Sequence, residues 1–166
     1  MGQIQTPAPE LDIGKALAEA VERNKRQPVT PESIARGKAI LRQAAIDGRI
    51  ELSRRIEAGE VVTAKAISAA TGLSCLVLSR KERERMLFSI PGPSRIKYYP
   101  AFYGDARYSR EQIEAVIHCL DAMPPEQKFD FFTQKKLSLR NCSPLEALEQ
   151  GGFAKVMTTA AEHIAR

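Results

Sequence analysis

A chain of 166 residues that is 43% hydrophobic and 27% charged belongs with ordinary globular proteins, not with disordered, collagenous or disulfide-stapled ones. Its length allows one or two small domains, with roughly two thirds of the unfolded chain's surface buried. The formal charge of +5 is unevenly spread: residues 1–99 hold 17 Lys and Arg against 11 Asp and Glu, residues 100–166 hold 8 against 9. This asymmetry leads us to expect a polyanion facing the first part of the chain and a different task for the rest. Cys75, Cys119 and Cys142 are widely spaced and form no CxxC, which argues against a zinc knuckle and for a reducing compartment. No basic stretch followed by an apolar core opens the chain and no run of 18 apolar residues occurs, so a cytoplasmic protein with no membrane partner is expected, nucleoid-associated when bound to DNA.

In chain order, residues 1–9 are Pro-rich and polar and read as a loose arm. From Glu10 to Arg26, Leu11, Ile13, Leu17, Ala20 and Val21 recur at helical spacing, and Pro28 stops that helix. Thr30-Pro31-Glu32 opens a second helix, with Thr30 as N-cap and Pro31 at the first position, where a missing N–H costs nothing. It runs through Ile34, Ile40, Leu41 and Ala44 to Gly48, and a third helix is expected from about Ile50 to Ala58, ending at Gly59. The cations along these helices read first as a solvated face.

Residues 61–83 have the spacing of a helix-turn-helix. Thr63 caps a short helix with Ile67 and Ala70 facing inward, Gly72 makes the turn, Leu73 plugs the core, and Ser74 caps a second helix through Val77 and Leu78. Two strand-like runs, Met86–Ile90 and Arg95–Tyr99, flank Pro91-Gly92-Pro93-Ser94, a segment read as a non-helical hairpin loop. A helix-turn-helix followed by a hairpin is a winged helix. The residues placed against double-stranded DNA are Ser74, Ser79, Arg80, Lys81 and Arg83 on the second helix and Arg95, Lys97 and Tyr98 on the wing, short polar and cationic groups suited to base edges and phosphates. Helical hairpins with this pattern also exist that touch no DNA, and Tyr99 and Phe102 read as core aromatics.

Beyond Pro100, Ser109-Arg110-Glu111-Gln112 has the form of a capping box before a helix with Ile113, Val116, Ile117 and Leu120 on one face. A short helix from Pro125 to Thr133 carries Phe129, Phe131 and Phe132. Ser143-Pro144-Leu145-Glu146 reads as a second capping box, Gly151-Gly152 ends that helix, and a last one takes Phe153, Val156, Met157 and Ala160 to the C-terminus. No nucleophile-base pair, phosphate loop or metal-ligand spacing is present, so neither enzyme chemistry nor a cofactor or metal is expected. His118 and His163 read as packed or half-exposed structural residues. The fold expected is mainly α: an N-terminal helical extension (1–60), a helix-turn-helix with a small β-hairpin wing (61–103), and a small helical C-terminal domain (108–166).

The stretch from Tyr108 to the end, with Phe131-Phe132, the phrase SPLEAL at Ser143 to Leu148, Gly151, and Val156 to Ala161, resembles the toxin-binding domain of the antitoxin family named for Xre, MbcA and ParS. The resemblance implies a homodimer that binds DNA, represses its own operon and inhibits a partner toxin, often of the RES class, which degrades NAD. It places toxin contact at Lys135, Lys136 and Arg140 in the loop and at Glu162, His163 and Arg166 near the C-terminus. The loop LSLRNC lacks the Asn-Pro and paired glycines common in that family, and the first 60 residues have no counterpart in it. The alternative is a solitary DNA-binding regulator, transcriptional or chromosome-associated, whose C-terminal domain serves only dimerisation.

Overall fold

The computed structural model describes Glu22 and residues 29–165. The helix expected over Glu10–Arg26 and the terminal Arg166 therefore lie outside the described residues, apart from Glu22, which is helical. The chain divides into two units, residues 1–46 and 47–166. Among the described residues the chain is mainly helical, with one small antiparallel sheet.

Helix α1 spans Pro31–Glu57. Thr30 caps it as expected, its Oγ1 accepting from Ser33 N at 3.2 Å. One continuous helix replaces the two expected, because a single interior glycine such as Gly48 costs a helix about 1 kcal/mol but does not end it. The stop comes at Gly59, whose φ of +70° lies in the left-handed region that glycine enters freely. In the first unit, the apolar side chains of α1 do not form the expected buried stripe. Ile34, Ile40, Leu41 and Ile46 are all exposed, Leu41 by 71%. In the second unit the same helix turns Leu52 and Arg55 into the core.

The second unit continues with β1 (Val61–Thr63), α2 (Ala64–Thr71), α3 (Cys75–Arg83), β2 (Ile90–Pro91) and β3 (Lys97–Pro100). The strands lie in the order β1-β3-β2, with Val61 opposite Pro100, Thr63 opposite Tyr98 and Ile90 opposite Tyr98. Both strands of the hairpin are shorter than the sequence suggests. Met86 and Leu87 both donate their N–H groups to Lys81 O (2.9 and 3.3 Å), so the backbone after α3 is spent closing the helix, while Leu87 and Phe88 fill the core. Across the hairpin, Pro93–Arg95 form a single 3-10 turn where no helical turn was expected, with Ser94 and Arg95 at positive φ. Gly92 is required there, since a Cβ would stand 2.4 Å from the Tyr98 ring.

Four helices follow: α4 (Arg110–Cys119), α5 (Pro125–Thr133), α6 (Pro144–Glu149) and α7 (Phe153–Ile164), with a 3-10 turn at Leu137–Leu139. Ser143 and Glu146 form the expected capping box in both directions. Ser109 forms none. There the start of α4 is held by Arg110, whose Nη2 reaches Thr71 O at 3.3 Å and whose guanidinium lies 5.7 Å from the Tyr103 ring centre. Ile113, Val116, Ile117 and Leu120 are buried, together with the three phenylalanines of α5 and Val156 and Ala160 of α7. Phe102 meets Phe132 at 4.9 Å, and Phe131 meets Phe132 edge-on at 5.8 Å. Residues 61–103 and 108–165 thus share one core, in which Tyr99 and Phe102 take the places expected of them. Ala70, expected inward, is exposed, and His118, expected packed or half-exposed, is exposed as well.

Candidate nucleic-acid interface

Helices α2 and α3 are joined by local chemistry that the residues themselves dictate. Gly72, at φ +71°, ends α2 with its N–H on Ser68 O, and Ser68 Oγ donates to Leu73 O at 2.5 Å. Leu73 N donates to Thr71 Oγ1, and Ser74 Oγ accepts from Val77 N at 3.3 Å to start α3. Thr63 opens α2 in the same way, accepting from Ala66 N. Leu78 anchors the inner side of α3 and is fully buried. The outer side presents Cys75, Leu76, Ser79, Arg80 and Arg83, all exposed, with the capping Ser74 beside them.

Three of the eight expected DNA contacts are turned toward the protein instead. Lys81 Nζ sits 2.8 and 2.9 Å from the two carboxylate oxygens of Glu114 on α4, half-buried. Glu114 Oε1 also accepts from Tyr103 OH at 2.5 Å, and burial raises that phenol's pKa. Lys97 Nζ lies 2.8 Å from Glu82 Oε2, although its side chain remains half exposed. Glu82 is a hub: it accepts from Ser89 Oγ at 2.5 Å and from Tyr99 OH at 3.3 Å as well. The Tyr99 phenol is pushed up to about 12, first by burial and then by the Glu82 charge. Tyr98 is half-buried with its ring against Gly92.

The other five remain on the surface. Arg80 has only a loose partner, Glu84 at 3.9 Å. Arg83 and Arg95 are exposed and carry no ion-pair partner among the described residues. Ser74 and Ser79 are exposed on α3. An exposed pair as loose as Arg80–Glu84 holds its cation weakly, so Arg80 is free to exchange its carboxylate for a phosphate. The sequence reading passed over Leu76, which is 76% exposed on the same face as Ser79, Arg80 and Arg83. Its spacing from them, i to i+3, i+4 and i+7, was the available signal.

No family model, curated protein or solved structure matches the chain. Among the described residues there is no cluster of three or more His, Cys, Asp or Glu that could hold a metal ion, and no helix is long and apolar enough to cross a membrane.

At the C-terminal end, the expected toxin contacts divide similarly. The loop from Lys136 to Cys142 is closed on itself: Lys136 N donates to Cys142 O and Asn141 N to Lys136 O, both at 3.0 Å, with Arg140 and Asn141 at positive φ. Lys136 Nζ stands 4.6 Å over the Phe131 ring, and burial lowers its pKa. The His163 ring packs on the same Phe131, its centre 5.5 Å from that ring. Lys135, Arg140 and Glu162 are exposed. Arg140 lies with Lys155 on an open cleft of about 400 Å³.

Proposed function

We propose that this chain is a DNA-binding antitoxin of a two-gene toxin-antitoxin module. In this reading residues 61–100 are a winged helix-turn-helix, α3 enters the major groove of duplex DNA, and the turn at Pro93–Arg95 rides the adjacent backbone. The observation that carries it is the outer face of α3: Ser79, Arg80 and Arg83 share one side of a short helix set off by the Gly72 turn and by the Ser74 cap. The chain order supports it too, since strand, helix, turn, helix and hairpin return β3 to pair with β1. A DNA-bound dimer also needs a seam, and the exposed Ile34, Leu41 and Ala45 of α1, seven and four residues apart, offer one to a second copy.

The antitoxin half of the proposal rests on the C-terminal resemblance, with SPLEAL folded as a capped helix and with Lys135, Arg140 and Glu162 at the surface as contacts for a toxin of the NAD-degrading RES class. One observation favours the solitary regulator instead: Lys136 and His163 are both engaged with Phe131. Both readings place the protein in the cytoplasm, on the nucleoid when bound. The experiment is a pull-down of the tagged chain at moderate salt from the cells that encode it, with and without nuclease. One small partner that survives nuclease, together with DNA from the chain's own promoter, is the expected result. DNA from many loci and no stable partner would decide for the solitary regulator, and recovery of neither would end the DNA-binding reading.

A further inference from the structure

An aliphatic side chain left in water is ordinary when it stands alone among unrelated neighbours. Leu76 does not. It sits in the first turn of α3 and is 76% exposed, and it begins the stripe that continues through Ser79, Arg80 and Arg83. The inner side of α3 is already satisfied by Leu78, fully buried, and by Val77, so Leu76 is not needed by the core. Lys81 and Glu82 are tied to Glu114 and to Ser89, Lys97 and Tyr99, which fixes the rotation of α3 and keeps Leu76 outward.

We infer that Leu76 reads the C5-methyl group of a thymine in the major groove, an inference that rests on the DNA-binding reading above. The argument is one of chemical elimination. A recognition helix meets base edges with its N-terminal residues, and Leu76 is the second residue of α3. Guanine, adenine and cytosine present donors and acceptors in the major groove, and only thymine adds an apolar group. A leucine facing any of the other three would strip water from polar atoms without pairing them. Facing a thymine methyl, it removes apolar surface from water on both sides. The exposed arginines of the same stripe supply the attraction to phosphate that brings the helix there.

The test begins with selection of bound duplexes from a randomised pool by the full-length protein. Each thymine of the selected site is then replaced singly by deoxyuridine, which removes the methyl group and nothing else. For the natural chain, one such replacement should weaken binding about four-fold, the equivalent of one buried methyl-sized group. For Leu76→Ala, whose exposed site leaves the fold intact, the same replacement should have no effect, with thermal melting confirming that the variant is folded. If every thymine tolerates the replacement, or if Leu76→Ala keeps the methyl dependence, the inference is wrong while DNA binding stands. If no duplex is selected at all, the DNA-binding reading fails first and takes Leu76 with it.

Discussion

Lys81 and Arg80 are neighbours in sequence with opposite surroundings. Lys81 is half-buried against Glu114, which in turn holds Tyr103, whereas Arg80 reaches only Glu84 at 3.9 Å from an exposed position. Replacing Lys81 with alanine strands a mostly buried carboxylate and should cost about 1 to 2 kcal/mol of stability, measured by urea unfolding, with little change in DNA affinity. On the proposed DNA-binding reading, Arg80→Ala and Arg83→Ala should do the reverse, leaving the melting curve in place and lowering the salt dependence of DNA binding by about one unit of slope each. Lys97→Ala should fall nearer to Lys81→Ala in kind, since its head is engaged by Glu82, but with a smaller cost because that pair is more exposed. Salt titrations by fluorescence anisotropy separate the two classes. A slope change for Lys81→Ala equal to that for Arg80→Ala would refute the division.

At the scale of elements, α1 is the unusual one. Its second-unit end is anchored: Arg55 bonds Glu51 and Asp130 at 2.8 Å and lies 4.4 Å over the Phe129 ring. Its first-unit part leaves Ile34, Ile40, Leu41 and Ile46 in water. A helix with such side chains left in water gains stability from a partner, because in proteins most helical stability comes from packing an apolar face. If that partner is a second copy, the natural chain sediments as a dimer and Leu41→Glu sediments as a monomer with an unchanged near-ultraviolet spectrum, since no buried aromatic lies in that unit's described helix. A monomeric natural chain at high micromolar concentration would rule the seam out.

Across the second unit, three carboxylates held by neighbours close in sequence have depressed pKa values. Hydrogen bonds from Arg54 and then Arg55 pull Glu51 from its ordinary 4.5 to about 2. Hydrogen bonds from the Arg107 side chain and backbone lower Asp105, and the backbone N–H of Ser143 lowers Glu146. A carboxylate held more acidic in the folded state binds fewer protons there than in the unfolded chain, so its contribution is present above the ordinary pKa and is lost as pH falls through the folded value. Urea midpoints should therefore hold steady from pH 7 to about 5 and decline between 4.5 and about 2. Glu51→Gln should lower the plateau and flatten part of that decline. A midpoint insensitive to pH across that interval would contradict the hydrogen-bond pattern.

Most caps and turns, Ser109 excepted, were legible because their chemistry lies within a few residues: Thr30, Thr63, Ser74 and Ser143 each accept a backbone N–H three positions ahead, and Gly72 takes the left-handed conformation its turn requires. Periodicity alone likewise placed Ile113, Val116, Ile117 and Leu120 on the buried side of α4. Gly48 misled because local propensity weighs a glycine without weighing the helix on either side of it. The site was legible as a face but not as a set of free charges. Whether a lysine is available to a ligand depends on carboxylates far away in sequence, Glu114 for Lys81 and Glu82 for Lys97, and Lys136 is claimed by a ring contributed by α5. The sequence by itself determined the capped starts at Thr30, Thr63, Ser74 and Ser143, the glycine stops at Gly59 and Gly72 and the inward residues of α4, because those follow from short-range hydrogen bonding and repeating burial. Only the tertiary structure decided which cations remain unpaired and that Leu76 stands outward among them, because electrostatic partners and exposure are properties of chain segments brought together by folding.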